Sequence, residues 1–173
     1  APRPLVDLAA VRVAGTNDAW VLLAAGEDHV VARSADDGRS WQLVWPADPS
    51  APDWERVAAG GPGEAWLLSR DELLYSSDAG VSWRKAHKPS SSFPYFGAIA
   101  VRPGACDLIA PPGYGASVYR TTDGGATWMT LPGRLPRNDY EVIVFRTHEA
   151  GWLAGPGGRV VRTVDGGATW SEG

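Results

Sequence analysis

Four aspartates draw attention because their neighbours repeat with them. Asp36, Asp78, Asp123 and Asp165 each occupy one pattern, Ser/Thr-x-Asp-x-Gly-x-Ser/Thr-Trp, within VARSADDGRSW, LYSSDAGVSW, VYRTTDGGATW and VVRTVDGGATW. Five fixed positions match by chance at about one starting point in 10⁵, so four copies are not accidental. Repeated carboxylates admit two chemistries. Gathered together, they would hold a cation or carry acid–base work; held apart, each would accept hydrogen bonds from its own turn, as in an Asx-turn. The spacing decides between them. Separations of 42, 45 and 42 residues put each aspartate on a different repeat unit, so each is expected to staple its own turn. The other box residues suit that task. Gly38, Gly80, Gly125 and Gly167 tolerate positive φ, and Trp41, Trp83, Trp128 and Trp170 can bury large rings between neighbouring units.

Chemistry outside the boxes is sparser. Glycoside hydrolysis needs two carboxylates about 5.5 Å apart for retention or about 6.5 to 9.5 Å for inversion. Asp53, Glu55, Asp139 and Glu141 stand near unit starts and are the acids to consider, although surface acids commonly serve only as solvated groups. His29, His87 and His148 have no metal-ligand spacing, and the lone Cys106 makes no internal disulfide. The PGYG and GPGG segments lack the Lys-Ser/Thr of a phosphate loop and read as turns. No cofactor and no metal are expected, and no catalytic residue is assigned.

The elements that must position these residues follow from the period. A repeat of ~40 to 45 residues is that of a four-stranded propeller blade. A second echo precedes three boxes: DAWVLLAAG around Trp20, EAWLLS around Trp66 and AGWLAG around Trp152. The third unit has CDLIAP there, losing the tryptophan but keeping an apolar character. Short β-branched and aromatic runs between Gly, Pro, Asn and Asp clusters, with no helical periodicity, predict an all-β fold. The expectation is one β-propeller region over residues 1–173, built of four-stranded antiparallel blades at about 5–46, 53–88, 95–132 and 139–173. The last repeat stops at Trp170-Ser-Glu-Gly where earlier ones continue as WQLVWP, WRKAHK and WMTLPG, so its outer strand is expected to be missing. The ring is then partial, or a homodimer completes an eight-bladed ring.

Composition narrows the partners. With 173 residues, 44% apolar and 21% charged, the chain can bury a sizeable core. Asp, Arg, Gly and Pro break every apolar run well short of the ~20 residues a membrane-spanning helix requires. A formal charge of -4 and a pI near 5.3 argue against nucleic acid as partner, because phosphate binding needs a basic face. APRPLVDL has no basic stretch followed by an apolar one, so any secretory signal is expected either to have been removed or never to have existed.

The four boxes resemble those of the Asp-box propellers, also called bacterial neuraminidase repeats, found in sialidases, xyloglucan-cleaving glycosidases, sortilin-type receptors and a photosystem II assembly factor. The resemblance spans essentially the whole chain. It implies a propeller whose boxes are structural and lie away from the ligand site, and an extracytoplasmic location. It leaves activity open. Sialidases of this type carry an Arg-Ile-Pro-like motif ahead of the first box; the nearest match here, Val101-Arg102-Pro103, follows two boxes.

The face opposite the box turns collects the loops between second and third strands and the crossings between blades. Trp45, Trp54, Tyr95, Tyr114, Tyr140, Arg134 and Arg137 fall there, with Phe93, Phe96 and Lys88 beside them. Aromatic faces interspersed with cations suit a peptide or a glycan. Trp54, Tyr95 and Tyr140 begin inner strands and are equally placed to pack against the next blade. The expected function is a noncatalytic binding or assembly-scaffold propeller; the alternative is part of a glycoside hydrolase whose catalytic residues are incomplete here.

Overall fold

Apolar runs of four to eight residues, each cut by a Gly-, Pro- or Asp-rich turn, form four antiparallel sheets in which every strand pairs with its neighbours in sequence. The computed structural model describes residues 5–13, 15–25, 28–45, 54–69, 71–89, 98–109, 117–137 and 139–172. Blade 1 is β1 (Leu5–Arg12), β2 (Ala19–Ala25), β3 (Asp28–Ser34) and β4 (Gln42–Trp45). Blade 2 is β5 (Trp54–Ala58), β6 (Ala65–Ser69), β7 (Leu73–Ser76) and β8 (Arg84–Lys85). Blade 3 is β9 (Ile99–Arg102), β10 (Ala105–Ile109), β11 (Val118–Thr121) and β12 (Met129–Thr130). Blade 4 is β13 (Val142–Phe145), β14 (Gly151–Gly155), β15 (Arg159–Thr163) and β16 (Ser171–Glu172). The all-β class and the four-stranded blades are as the period predicts. The expected gap at the edge of blade 4 is not there: β16 pairs Glu172 with Val161 and Ser171 with Arg162. Two residues suffice, since β8 and β12 are equally short.

The chain forms two compact units, Ala1–Ala86 and His87–Gly173, each holding two blades. Strand alternation gives every blade two faces. One, here termed the leading face, carries the second-strand tryptophan position; the other is the trailing face. In the first unit Trp20, Leu22 and Val31 on the leading face of blade 1 share a core with Val57, Leu67 and Leu74 on the trailing face of blade 2. Trp83, from the box of blade 2, meets Trp20 edge to face with ring centroids 6.2 Å apart. In the second unit Ala100 and Val118 of blade 3 pack with Ile143, Leu153 and Val161 of blade 4, closed over by Leu131, Leu135 and Tyr140.

One core position departs from the expected apolar character. In blade 3 the tryptophan position holds Asp107, opposite Arg120 as Trp20 is opposite Arg33, and it is fully buried. Arg120 Nε donates to Asp107 Oδ1 at 2.7 Å, and Arg102 Nη2 lies 3.0 Å from Oδ2. The Arg102 guanidinium stacks over Phe145 of blade 4 at 4.1 Å, and Arg120 Nη2 donates to Gly166 O in the box of blade 4 at 2.7 Å. A charged cluster thus occupies the place of an indole, joining the same two blades. Burial pushes the Asp107 carboxyl above its ordinary range, opposed by Arg102 and Arg120.

Candidate functional site

The box carboxylates are saturated by their own turns. Ser34 Oγ donates to Asp36 Oδ1 at 2.8 Å and accepts from Gly38 N at 2.8 Å. Ser40 N and Oγ donate to the same carboxylate at 2.9 and 2.6 Å. The set recurs around Asp78 with Ser76, Gly80 and Ser82. It recurs around Asp123 with Thr121, Gly125 and Thr127, and around Asp165 with Thr163, Gly167 and Thr169. Hydrogen bonds to the charged form lower an acid's pKa. The Ser40 hydroxyl foremost holds Asp36 at about 2, and the Thr169 hydroxyl does the same for Asp165, also at about 2. Asp78 and Asp123 are lowered for the same reason. Such groups stay ionised at neutral pH and hold their turns. Among the described residues, no three His, Cys, Asp or Glu side chains gather as a metal site.

A different setting exists at the other end of blade 4, where β14 turns into β15. The turn Pro156–Gly158 reverses the chain through Gly157 at φ 75° and Gly158 at φ 73°, a conformation glycine adopts without a Cβ clash. It delivers Arg159 to Asp139, with Arg159 Nη1 3.0 Å from Asp139 Oδ2. Beside this pair an open groove of about 220 Å³ is lined by Tyr140, Gly158, Arg159, Val160, Val161 and Glu172. Tyr140, among these lining residues, is only 3% exposed. Burial first, then the charges of Asp139 and Glu172, push the Tyr140 hydroxyl upward, against the pull of Arg159 and Arg137. The phenol is therefore neutral at physiological pH, able both to donate and to accept. Arg159 and Glu172 thus bring charges of opposite sign to the lining of one shallow groove, with Tyr140 beside them.

The sequence-derived ligand candidates divide three ways. Tyr140 lines the groove, Arg137 acts on it electrostatically, and Arg137 and Arg134 are both exposed on the crossing from β12 to β13. Trp45 and Trp54 stack edge to face at 5.7 Å; Trp54 is 1% exposed, and Trp45 also meets Trp83 at 6.1 Å. Of the two roles open to Trp54 from its position, burial gives it packing, and Trp45 joins it there. Tyr95 and Tyr114, like Phe93 and Phe96, lie outside the described residues. Sequence reasoning missed Arg159 and Glu172. The available signal was the GPGG run, whose two positive-φ glycines imply a tight reversal that brings the next residue back against the start of β13.

Comparison with known proteins places the chain in context. No curated protein matches it. Among solved structures it is similar to a YCF48 protein bound to a D1 peptide, at 16% identity and a TM-score of 0.52, covering 97% of this chain and 66% of that one. It is similar also to the GH74 enzyme of Niastella koreensis (15% identity, TM-score 0.59, 99% of this chain and 24% of that one). The GH74 xyloglucanase of Xanthomonas campestris gives 16% identity, a TM-score of 0.58 and coverage of 90% and 28%. The chain thus spans just under two thirds of the first and about a quarter of each enzyme, and at these identities the likeness is one of fold. The description "DUF6242 beta propeller domain" matches residues 5–152, and the chain belongs to that family.

Proposed function

We propose that this chain is a noncatalytic binding propeller that recognises a peptide at the groove of blade 4, on the end of the blade away from its box turn. The carrying observation is the groove itself: Arg159, Glu172 and Tyr140 line one space, with Arg137 within electrostatic reach of Tyr140. Peptides present alternating donors and acceptors and charges of both signs, which this lining complements. Sugar recognition favours an aromatic face open to the ring of the ligand, and Tyr140, at 3% exposure, offers little face. The reading accords with the structural neighbour whose own structure holds a peptide. The GH74 likeness supports the glycoside hydrolase alternative only at the level of fold.

Selection from a displayed random-peptide library, run beside titration with xyloglucan oligosaccharides, tests the proposal. Mixed-charge peptides should be enriched, and Arg159→Glu should lower their affinity at least tenfold while leaving the thermal midpoint unchanged. Binding of the oligosaccharides with no peptide enrichment, or peptide binding indifferent to Arg159→Glu, would refute it.

A further inference from the structure

Arg159 is held by one corner of its guanidinium, and an edge of the same group is left over. Nη1 donates to Asp139 Oδ2 at 3.0 Å, and among the described residues neither Nε nor Nη2 has a partner. The Nε–H and Nη2–H bonds leave one side of the planar group in parallel, at the spacing of two carboxylate oxygens. That match is why arginine grips carboxylates side-on with two hydrogen bonds at once.

The turn beside Arg159 keeps this edge clear. Gly157 has φ 75°, and a Cβ built on it would lie 3.8 Å from Nη2 and 3.9 Å from Nε. It would meet no other atom of the described residues within 4 Å, so a longer side chain at this position would reach across the edge. Gly158, the next residue, lines the groove together with Arg159, which places the clear edge at the turn end of the groove. Charge then chooses among anions. Asp139 already pairs with Arg159 and Glu172 stands in the same lining. Two acids so near repel a doubly charged phosphate more than a singly charged carboxylate.

We propose that the Nε–Nη2 edge of Arg159 clamps a carboxylate of the bound peptide, the guanidinium being held from its other corner by Asp139 and left uncovered by Gly157. This rests on peptide recognition at the groove and adds the group on the peptide that is read. The fork makes the clamp, so positive charge alone does not replace it.

Calorimetric titration of a mixed-charge peptide, selected from a library displayed with free C-termini, tests this, with circular dichroism to verify that each variant is folded. The peptide is made unaltered, amidated at its C-terminus, and with its Asp and Glu side chains replaced by Asn and Gln. One altered form should bind about tenfold or more weakly, and which one does so tells a terminal carboxylate from a side-chain one. Arg159→Lys keeps the charge and loses the fork, and should weaken the unaltered peptide by a similar factor. Gly157→Asn should do the same, because asparagine accepts positive φ and its amide would lie across the edge. Gly104→Asn makes the same backbone change at φ 71°, with nothing within 4 Å of its Cβ, and should leave affinity unchanged. Equal affinity of all three peptide forms, or Arg159→Lys and Gly157→Asn binding like the unaltered protein, would overturn the clamp. Peptide recognition itself would survive that result if Arg159→Glu still weakened binding, whereas a library that yields no peptide would overturn both.

Discussion

Replacing Asp107 by alanine removes the one acid that Arg102 and Arg120 share. Arg102 is 6% exposed, and its Nε and Nη1 atoms are buried without hydrogen-bond partners even with Asp107 present. Breaking a buried ion pair by deleting one partner costs about 3 to 5 kcal/mol, because the remaining charge is stranded out of water. With a urea slope of roughly 2 kcal/mol/M for a domain of this size, the unfolding midpoint should fall by roughly 2 M at unchanged slope. Blade 1 shows the alternative arrangement, with Trp20 in place of Asp107, Val13 in place of Arg102, and Arg33 lying over Trp20 at 5.7 Å while it pairs with buried Asp18, whose position in blade 3 is Ala105. Transplanting it whole, as Asp107→Trp with Arg102→Val and Ala105→Asp, should recover most of the lost midpoint, because Arg120 then keeps an acid partner. Urea unfolding followed by tryptophan fluorescence at pH 7 provides the readout. A loss below about 1 kcal/mol for Asp107→Ala, or a triple variant as unstable as the single one, would refute the reasoning.

Other consequences are open to direct measurement. Asp36 and Asp165, held at about 2 against an ordinary 3.8, are stabilising when ionised. Their contribution is complete above about pH 4 and is lost as pH falls toward 2; thermal midpoints recorded from pH 6 downward should stay level until about pH 4 and then drop. Asp165→Asn should flatten that drop as well as lower the plateau, and an unchanged acid limb would count against it. A Cβ at Gly133 would lie 2.4 Å from Gly167 O and 2.7 Å from Trp170 Cδ1, so Gly133→Ala should cost about 1 to 3 kcal/mol by overpacking, measurable by calorimetry. Gly104→Ala makes an informative contrast: nothing lies within 4 Å of that Cβ, and its smaller cost should reflect only its φ of 71°.

Much of the fold was legible because each blade repeats one solution to one problem. The box specifies a reversal in eight residues and recurs at a fixed period, so the four-stranded units follow; the second-strand tryptophan marks one face of the sheet in three of the four blades. Departures were legible only where they changed the period. Asp107 interrupts a tryptophan series, yet its neighbours Leu108 and Ile109 kept the segment apolar in appearance, and its partners Arg102 and Arg120 come from two other strands. The outer strand of blade 4 escaped notice because a two-residue strand leaves no pattern to read. At the site, Tyr140 could be placed from sequence since it opens an inner strand. Arg159 and Glu172 could not, because they reach Tyr140 only through the pairing of β15 with β14 and β16. Trp45 and Trp54 looked available to a ligand for the same reason: aromatic residues at blade crossings read alike whether they face solvent or each other.

Hydrogen exchange read by mass spectrometry, with and without a selected mixed-charge peptide, tests peptide recognition at the blade 4 groove most directly. Protection is expected over residues 139–141 and 155–161, with the box turn at 164–170 unchanged. Protection confined to the box turn, or seen at the groove only with xyloglucan oligosaccharides, would contradict the account.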